Sequence, residues 1–143
     1  MASVNFSFPD DFLLSFSRLG DRTDEIIPKV LEAGGDVVLE KAKSNLRAVI
    51  GRGTKAESRS TGELVRALGK TQARQDRNGN WNLKIGFSEP RRGGGSNAKI
   101  ANILEYGKHG QPPKPFLKPA KIQTKDAALE AMTQKLTDEV NSV

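Results

Sequence analysis

Few residues in this chain have catalytic or ligating chemistry to offer. It holds one histidine, His109, and no cysteine. That excludes a thiol nucleophile, a disulfide framework, a cysteine–zinc site and any two-histidine metal motif. His109 lies in Gly107-Lys108-His109-Gly110, a turn-like stretch without an acid or nucleophile beside it, and reads as an exposed loop residue. The carboxylate pairs Asp10-Asp11 and Asp24-Glu25 fall at expected helix starts, where they complement the helix dipole. Neither has the spacing of a calcium loop. No residue is assigned a catalytic, cofactor-binding or metal role, no cofactor is expected, and the chain does not read as an enzyme.

Two glycine-containing stretches raise the question of phosphate. Gly51-Arg52-Gly53-Thr54-Lys55 contains the residue types of a Walker A loop in the wrong order, and it follows a helix where such a loop must follow a strand. Arg91-Arg92-Gly93-Gly94-Gly95-Ser96 precedes a helix, whose first backbone N–H groups suit an anion. Both read better as solvated loops. Charge is concentrated around them: residues 1–50 carry a net −2, residues 51–100 +7 and residues 101–143 +1, for a total of +6. Any contact with DNA or another polyanion is therefore expected at Arg52, Lys55, Arg59, Arg91 and Arg92. The segment lacks interleaved aromatics for base stacking and any helix-turn-helix, zinc-finger or RNA-recognition fingerprint.

The elements that would carry these residues follow from periodicity. The 143 residues fit one domain of ~100–200 residues, and we expect a single domain over 1–143. Val4, Phe6 and Phe8 alternate with polar residues as in a half-buried strand. Residues 12–19 suit a short helix. From Ile26 to Ile50 apolar residues recur at the i, i+3, i+4 spacing of a long amphipathic helix, with Thr23 or Asp24 as cap, Pro28 at its fourth position and Gly34-Gly35 marking a bend or a close approach. Residues 51–61 and 89–97 read as mobile loops. Residues 62–68 suit a short helix. Asn78-Gly79 predicts a hairpin with a type I′ turn, positive φ at both positions. Trp81, Leu83, Ile85 and Phe87 give the following strand a dry face, and the polar Lys70–Arg77 partner an edge position. A short helix over 98–106, capped by Asn97, stops at Gly107. Four prolines between 112 and 119 hold an extended segment bearing Phe116 and Leu117, and a last helix is expected from about Pro119 or Thr124 to Asn141, with Pro119 suited to its first position. The expected fold class is α+β: a small antiparallel sheet, made of the N-terminal strand plus the hairpin near 70–87, packed against the long helix and a C-terminal helix. No apolar run approaches the ~18–20 residues needed to span a bilayer, and the N-terminus lacks the pattern of a secretory signal.

One segment says more. Ala98 to Ala120 contains Glu105-Tyr106-Gly107, a loop, and then Pro115-Phe116-Leu117-Lys118-Pro119-Ala120. This resembles the tail-completion, or head–tail joining, proteins of long-tailed bacteriophages. Their short helix ends in Glu-aromatic-Gly and is followed by Pro-Phe-Leu/Met-basic-Pro-Ala. Thr61-Gly62-Glu63-Leu64-Val65-Arg66-Ala67-Leu68 is a weaker match to the family's Thr-Gly-x-Leu-x-x-Ser, with Ala67 where serine is usual. The resemblance spans roughly residues 25–140.

It implies a virion structural protein of the neck or head-proximal tail end, assembled in the bacterial host cytoplasm. Its partners would be copies of itself in a cyclic ring, commonly sixfold, and neighbouring head-completion, tail-terminator or tail-tube proteins, with DNA in the lumen. No membrane is involved. Tyr106, Phe116 and Leu117 are the candidate subunit contacts, unless Phe116 and Leu117 join the chain's own core. The competing function is a basic accessory protein that binds nucleic acid non-specifically. A small host-directed binding domain of antitoxin or chaperone type is a third reading.

Overall fold

The computed structural model describes residues 3–8, 22–49, 63–87, 97–110 and 112–141. The expected helix over 12–19 and the expected loops over 51–61 and 89–97 lie outside the described residues, except Asn97, which is the first residue of a helix and not part of a loop.

The sheet is built around one strand. β1 (Ser3–Ser7) pairs antiparallel with β4 (Trp81–Gly86), Val4 opposite Ile85 and Phe6 opposite Leu83. On the other side of β4 lie β2 (Gly69–Lys70) and β3 (Arg74–Gln75), also antiparallel to it. β2 and β3 are one edge strand interrupted by a bulge. Lys70 faces Ile85 and Arg74 faces Asn82, so three residues on the edge oppose two on β4. An extra residue of this kind kinks an edge and discourages further pairing. Thr71 covers the break, its N–H donating to the Lys84 carbonyl at 2.9 Å and its hydroxyl accepting the Lys84 N–H at 2.9 Å.

The hairpin turn differs from the expected type. Gly79 has φ +82°, and no described residue other than glycine has positive φ, Asn78 included. The Gly79 N–H donates to the Asp76 carbonyl at 3.0 Å, while Asp76 Oδ1 accepts the N–H groups of Asn78 and Asn80 at 2.8 and 3.0 Å. The turn thus runs through Arg77 and Asn78 with ordinary backbone and closes on a left-handed glycine, the three-residue alternative to type I′. The Asp76 side chain favours it by capping the loop's own N–H groups.

Helix α1 (Thr23–Val49) is the spine. Ile26, Ile27, Val30, Leu31, Val38, Ala42 and Leu46 form its buried stripe. Each large aliphatic among them contributes roughly 1.5–3 kcal/mol on burial. Because the helix begins at Thr23, Pro28 is its sixth residue, two positions deeper than the expected fourth. The carbonyl it leaves without a donor belongs to Asp24, which is exposed to water, so the loss is small there. α2 (Glu63–Ala67) follows and buries Leu64 and, just past its end, Leu68. α3 (Asn97–Tyr106) comes next. The C-terminal helix is two helices, α4 (Leu117–Gln123) and α5 (Lys125–Asn141). Buried Thr124 stands at the break, with φ −105° and ψ 10°, and its backbone N–H and its hydroxyl both donate to the Ala120 carbonyl, at 3.1 and 2.6 Å.

α1 packs on β4 on one side and on α4 and α5 on another, most extensively on α5. Gly34 and Gly35 are where the layers converge. A Cβ on Gly34 would lie 2.7 Å from Met132 Cγ of α5 and 2.8 Å from Phe6 Cζ of β1, and one on Gly35 would lie 3.0 Å from Leu83 Cδ2 of β4. The glycine pair therefore marks a close approach.

Candidate functional site

The motif residues 105–119 converge on one backbone junction. α3 ends at Tyr106, and Gly107, with φ +79°, stops it while donating its N–H to the Ile103 carbonyl at 2.7 Å. This is the left-handed helix stop expected of a glycine there. The chain then passes through the proline segment, and Lys114 N–H returns to the Leu104 carbonyl at 2.7 Å. That bond sets the start of α4 beside the end of α3.

At this point the Glu105 side chain, buried at 6% exposure, turns onto the start of α4. Its Oε1 accepts the N–H of Phe116 at 3.0 Å and of Leu117 at 2.8 Å, and its Oε2 accepts that of Lys118 at 3.2 Å. A helix start leaves four backbone N–H groups without partners inside the helix. Here Phe116 is the cap residue and makes no side-chain capping bond of its own. Glu105 takes the first three donors, and the fourth position is Pro119, which has none. Every donor of that turn is thus accounted for, by a carboxylate borrowed from another helix. Negative charge at a helix N-terminus is favourable as well. The sequence expectation put Pro119 at the first helical position. It sits at the third, because Glu105 supports two further residues ahead of it.

The other side of the same peptide is held from α1. Asn45 Nδ2 donates to the Phe116 carbonyl at 3.2 Å and to Gln123 Oε1 at 3.3 Å. Asn45 lies on the apolar stripe of α1, one residue before Leu46, and nothing in its local sequence singled it out. The Phe116 ring is fully buried and meets Phe87 edge-on, with centroids 6.3 Å apart and planes at 70°, a favourable aromatic geometry.

The candidate contact residues divide accordingly. Phe116 and Leu117 are 0% and 1% exposed. They belong to the core, the alternative open to them in the sequence, and have no surface to give a neighbour in this fold. Tyr106 is 63% exposed at the end of α3, one residue from the buried Glu105. His109 is exposed. Arg52, Lys55, Arg59, Arg91 and Arg92 lie outside the described residues, as do Thr61 and Gly62 of the weaker motif. Among the described residues no cluster of three or more His, Cys, Asp or Glu could hold a metal ion, and no helix is long and apolar enough to cross a membrane.

The arrangement is one of structural chemistry: a buried acid spends its lone pairs on backbone, and the result is a fixed corner carrying one exposed aromatic ring. A small α+β domain built around such a corner is the class of protein that fold and site define. Residues 10–107 match the family described as "Bacteriophage HK97-gp10, putative tail-component". The chain belongs to this HK97-gp10-like family of bacteriophage tail components. No curated protein and no solved structure matches it.

Proposed function

We propose that the chain works at the head-proximal end of the phage tail, in the neck, where a ring of its copies completes the tail and joins it to the head. The observation that carries this reading is the family match over residues 10–107, which ends on the Glu105-Tyr106-Gly107 corner. The corner gives the reading a contact point. Tyr106 is a large, exposed, amphipathic ring whose backbone is fixed on both sides. Such residues give much contact area for little lost side-chain freedom. The ring we propose is sixfold, with head-completion, tail-terminator or tail-tube proteins above and below it.

Electron microscopy of particles made without this gene tests the placement. Filled heads and separate tails, or joined particles that fail to inject, are the expected outcome. Normal infectious particles would move the protein out of the neck. Tyr106→Ala then tests the contact. The variant should melt like the parent, since the ring is exposed, while the yield of joined particles falls. Unchanged joining would remove Tyr106 from the interface. If DNA binding were the main task, the purified protein would retard duplex DNA in a strongly salt-dependent way, and joining would survive deletion.

A further inference from the structure

A groove of about 800 Å³ lies between β1 and the α4–α5 helices. Val4, Phe6 and Phe8 line it from the strand side, and Ile122 and Met132 from the helices. Ile122 is 66% exposed, the most exposed of the large apolar side chains among the described residues. Phe6, Phe8 and Met132 are buried at the base of the groove, so the solvated apolar surface is that of Ile122 and half-buried Val4. Apolar surface rimmed by polar groups is the kind that interaction sites use. The rim here has one sign. Lys118, Lys121 and Lys125 all border the groove, and no acidic side chain does so among the described residues. Lys118 and Lys125 are exposed, and neither has an acidic partner among the described residues.

Lys121 is different. Its Nζ donates to the Asn5 carbonyl at 2.6 Å, and that carbonyl lies on the β1 edge. A lysine bonded there blocks the edge against a continuously paired strand. An occupant is therefore recognised by side chains: apolar ones toward exposed Ile122 and half-buried Val4, carboxylates toward Lys118 and Lys125. DNA would use the lysines but not the apolar floor. At this lysine rim a second copy of this chain, with its net charge of +6, is the poorer charge match, which bears on the groove and not on the ring contact at Tyr106, whereas an acidic partner is steered in.

We propose that this groove docks an acidic segment with apolar side chains, supplied by a neighbouring tail protein. The proposal rests on the tail reading above and names the chemistry of one partner. The test places a photo-crosslinking benzoylphenylalanine at position 122 of the full chain in assembled particles, and maps the joined peptide. Alongside it, Lys125→Glu and Ile122→Ser are scored for joined particles. Both positions are exposed, and an acid at the start of α5 suits its dipole, so both variants should melt like the parent.

The expected result is a crosslink to a carboxylate-rich, apolar stretch of a different tail protein, with at least about a tenfold drop in joined particles for Lys125→Glu. Exchange of one partner carboxylate for lysine should restore joining to that variant. A crosslink to another copy of this chain, a crosslink to DNA, or normal joining by both native-melting variants overturns the proposal. If gene deletion blocks joining while both variants join normally, the groove reading alone fails. If deletion leaves normal particles, the tail reading fails with it.

Discussion

Glu105 accepts three backbone N–H bonds from a helix to which it does not belong. Removing it leaves those donors without an acceptor, two of them in buried residues, and each buried unmatched donor costs about 1–3 kcal/mol. Glu105→Ala should therefore destabilise by ~3 kcal/mol, read as a lower midpoint in urea unfolding with an unchanged slope. Glu105→Gln keeps one carbonyl oxygen but can turn an amide donor toward Lys118 N–H, and should cost about half as much. Equal stability of all three proteins would mean that water replaces the carboxylate without loss. The sequence made the corner's outline legible. A glycine after a helix-forming run predicts positive φ, and Gly107 has it. The role of Glu105 was not legible, because its partners are main-chain groups 11 to 13 positions away. Backbone donors leave no signature in residue type. Asn45 escaped for the same reason: it answers a carbonyl brought to it only by the tertiary fold.

At the scale of elements, α1 was readable end to end from its apolar spacing, and β4 from its alternation. Each signal comes from a side-chain period matching a backbone period. Turn and edge were less so. Asn78-Gly79 suits two turn types, and Asp76 decides between them through hydrogen bonds that depend on how the strands meet. The bulge between β2 and β3 has no marker at all in Thr71-Gln72-Ala73. The glycine pair of α1 yields a contrast in sign. Alanine gains about 1 kcal/mol of helix propensity over glycine. At Gly34 the new methyl meets Met132 Cγ and the stiff Phe6 ring below 3.0 Å, and overpacking of that kind costs about 1–3 kcal/mol. At Gly35 its nearest neighbours are all in the Leu83 side chain, the two methyls at 3.0 and 3.1 Å, which need move by only a few tenths of an ångström. Gly34→Ala should lower the thermal midpoint, and Gly35→Ala should leave it unchanged or raise it. A stabilising Gly34→Ala would show that β1 and α5 can separate without loss.

Over the whole molecule, α1 is tied to its neighbours by charge as well as by apolar packing. Lys70 reaches Glu32 and Asp36 from the sheet edge, both at 3.4 Å, and Glu139 of α5 meets Lys135 at 3.3 Å and Lys29 of α1 at 3.6 Å. The hydrogen bond from Lys135, with the added charge of Lys29, holds the Glu139 carboxyl below its ordinary value of 4.5. A carboxyl lowered in the folded state stabilises fully above its ordinary value and loses that contribution as pH falls through the folded one. Unfolding free energies of the parent and Glu139→Gln should differ by a constant amount near neutral pH and converge as pH drops below 4.5. Parallel curves through the acid range would remove Glu139 as their source. The pairing of β1 with β4, finally, has a consequence in time. Val4 waits for Ile85, and the face of α1 that receives α5 waits for Met132. Contacts so distant along the chain form slowly. During synthesis the apolar side of α1 leaves the ribosome long before either cover exists, so the nascent chain is open to aggregation until β4 and then Met132 of α5 have emerged to close over it.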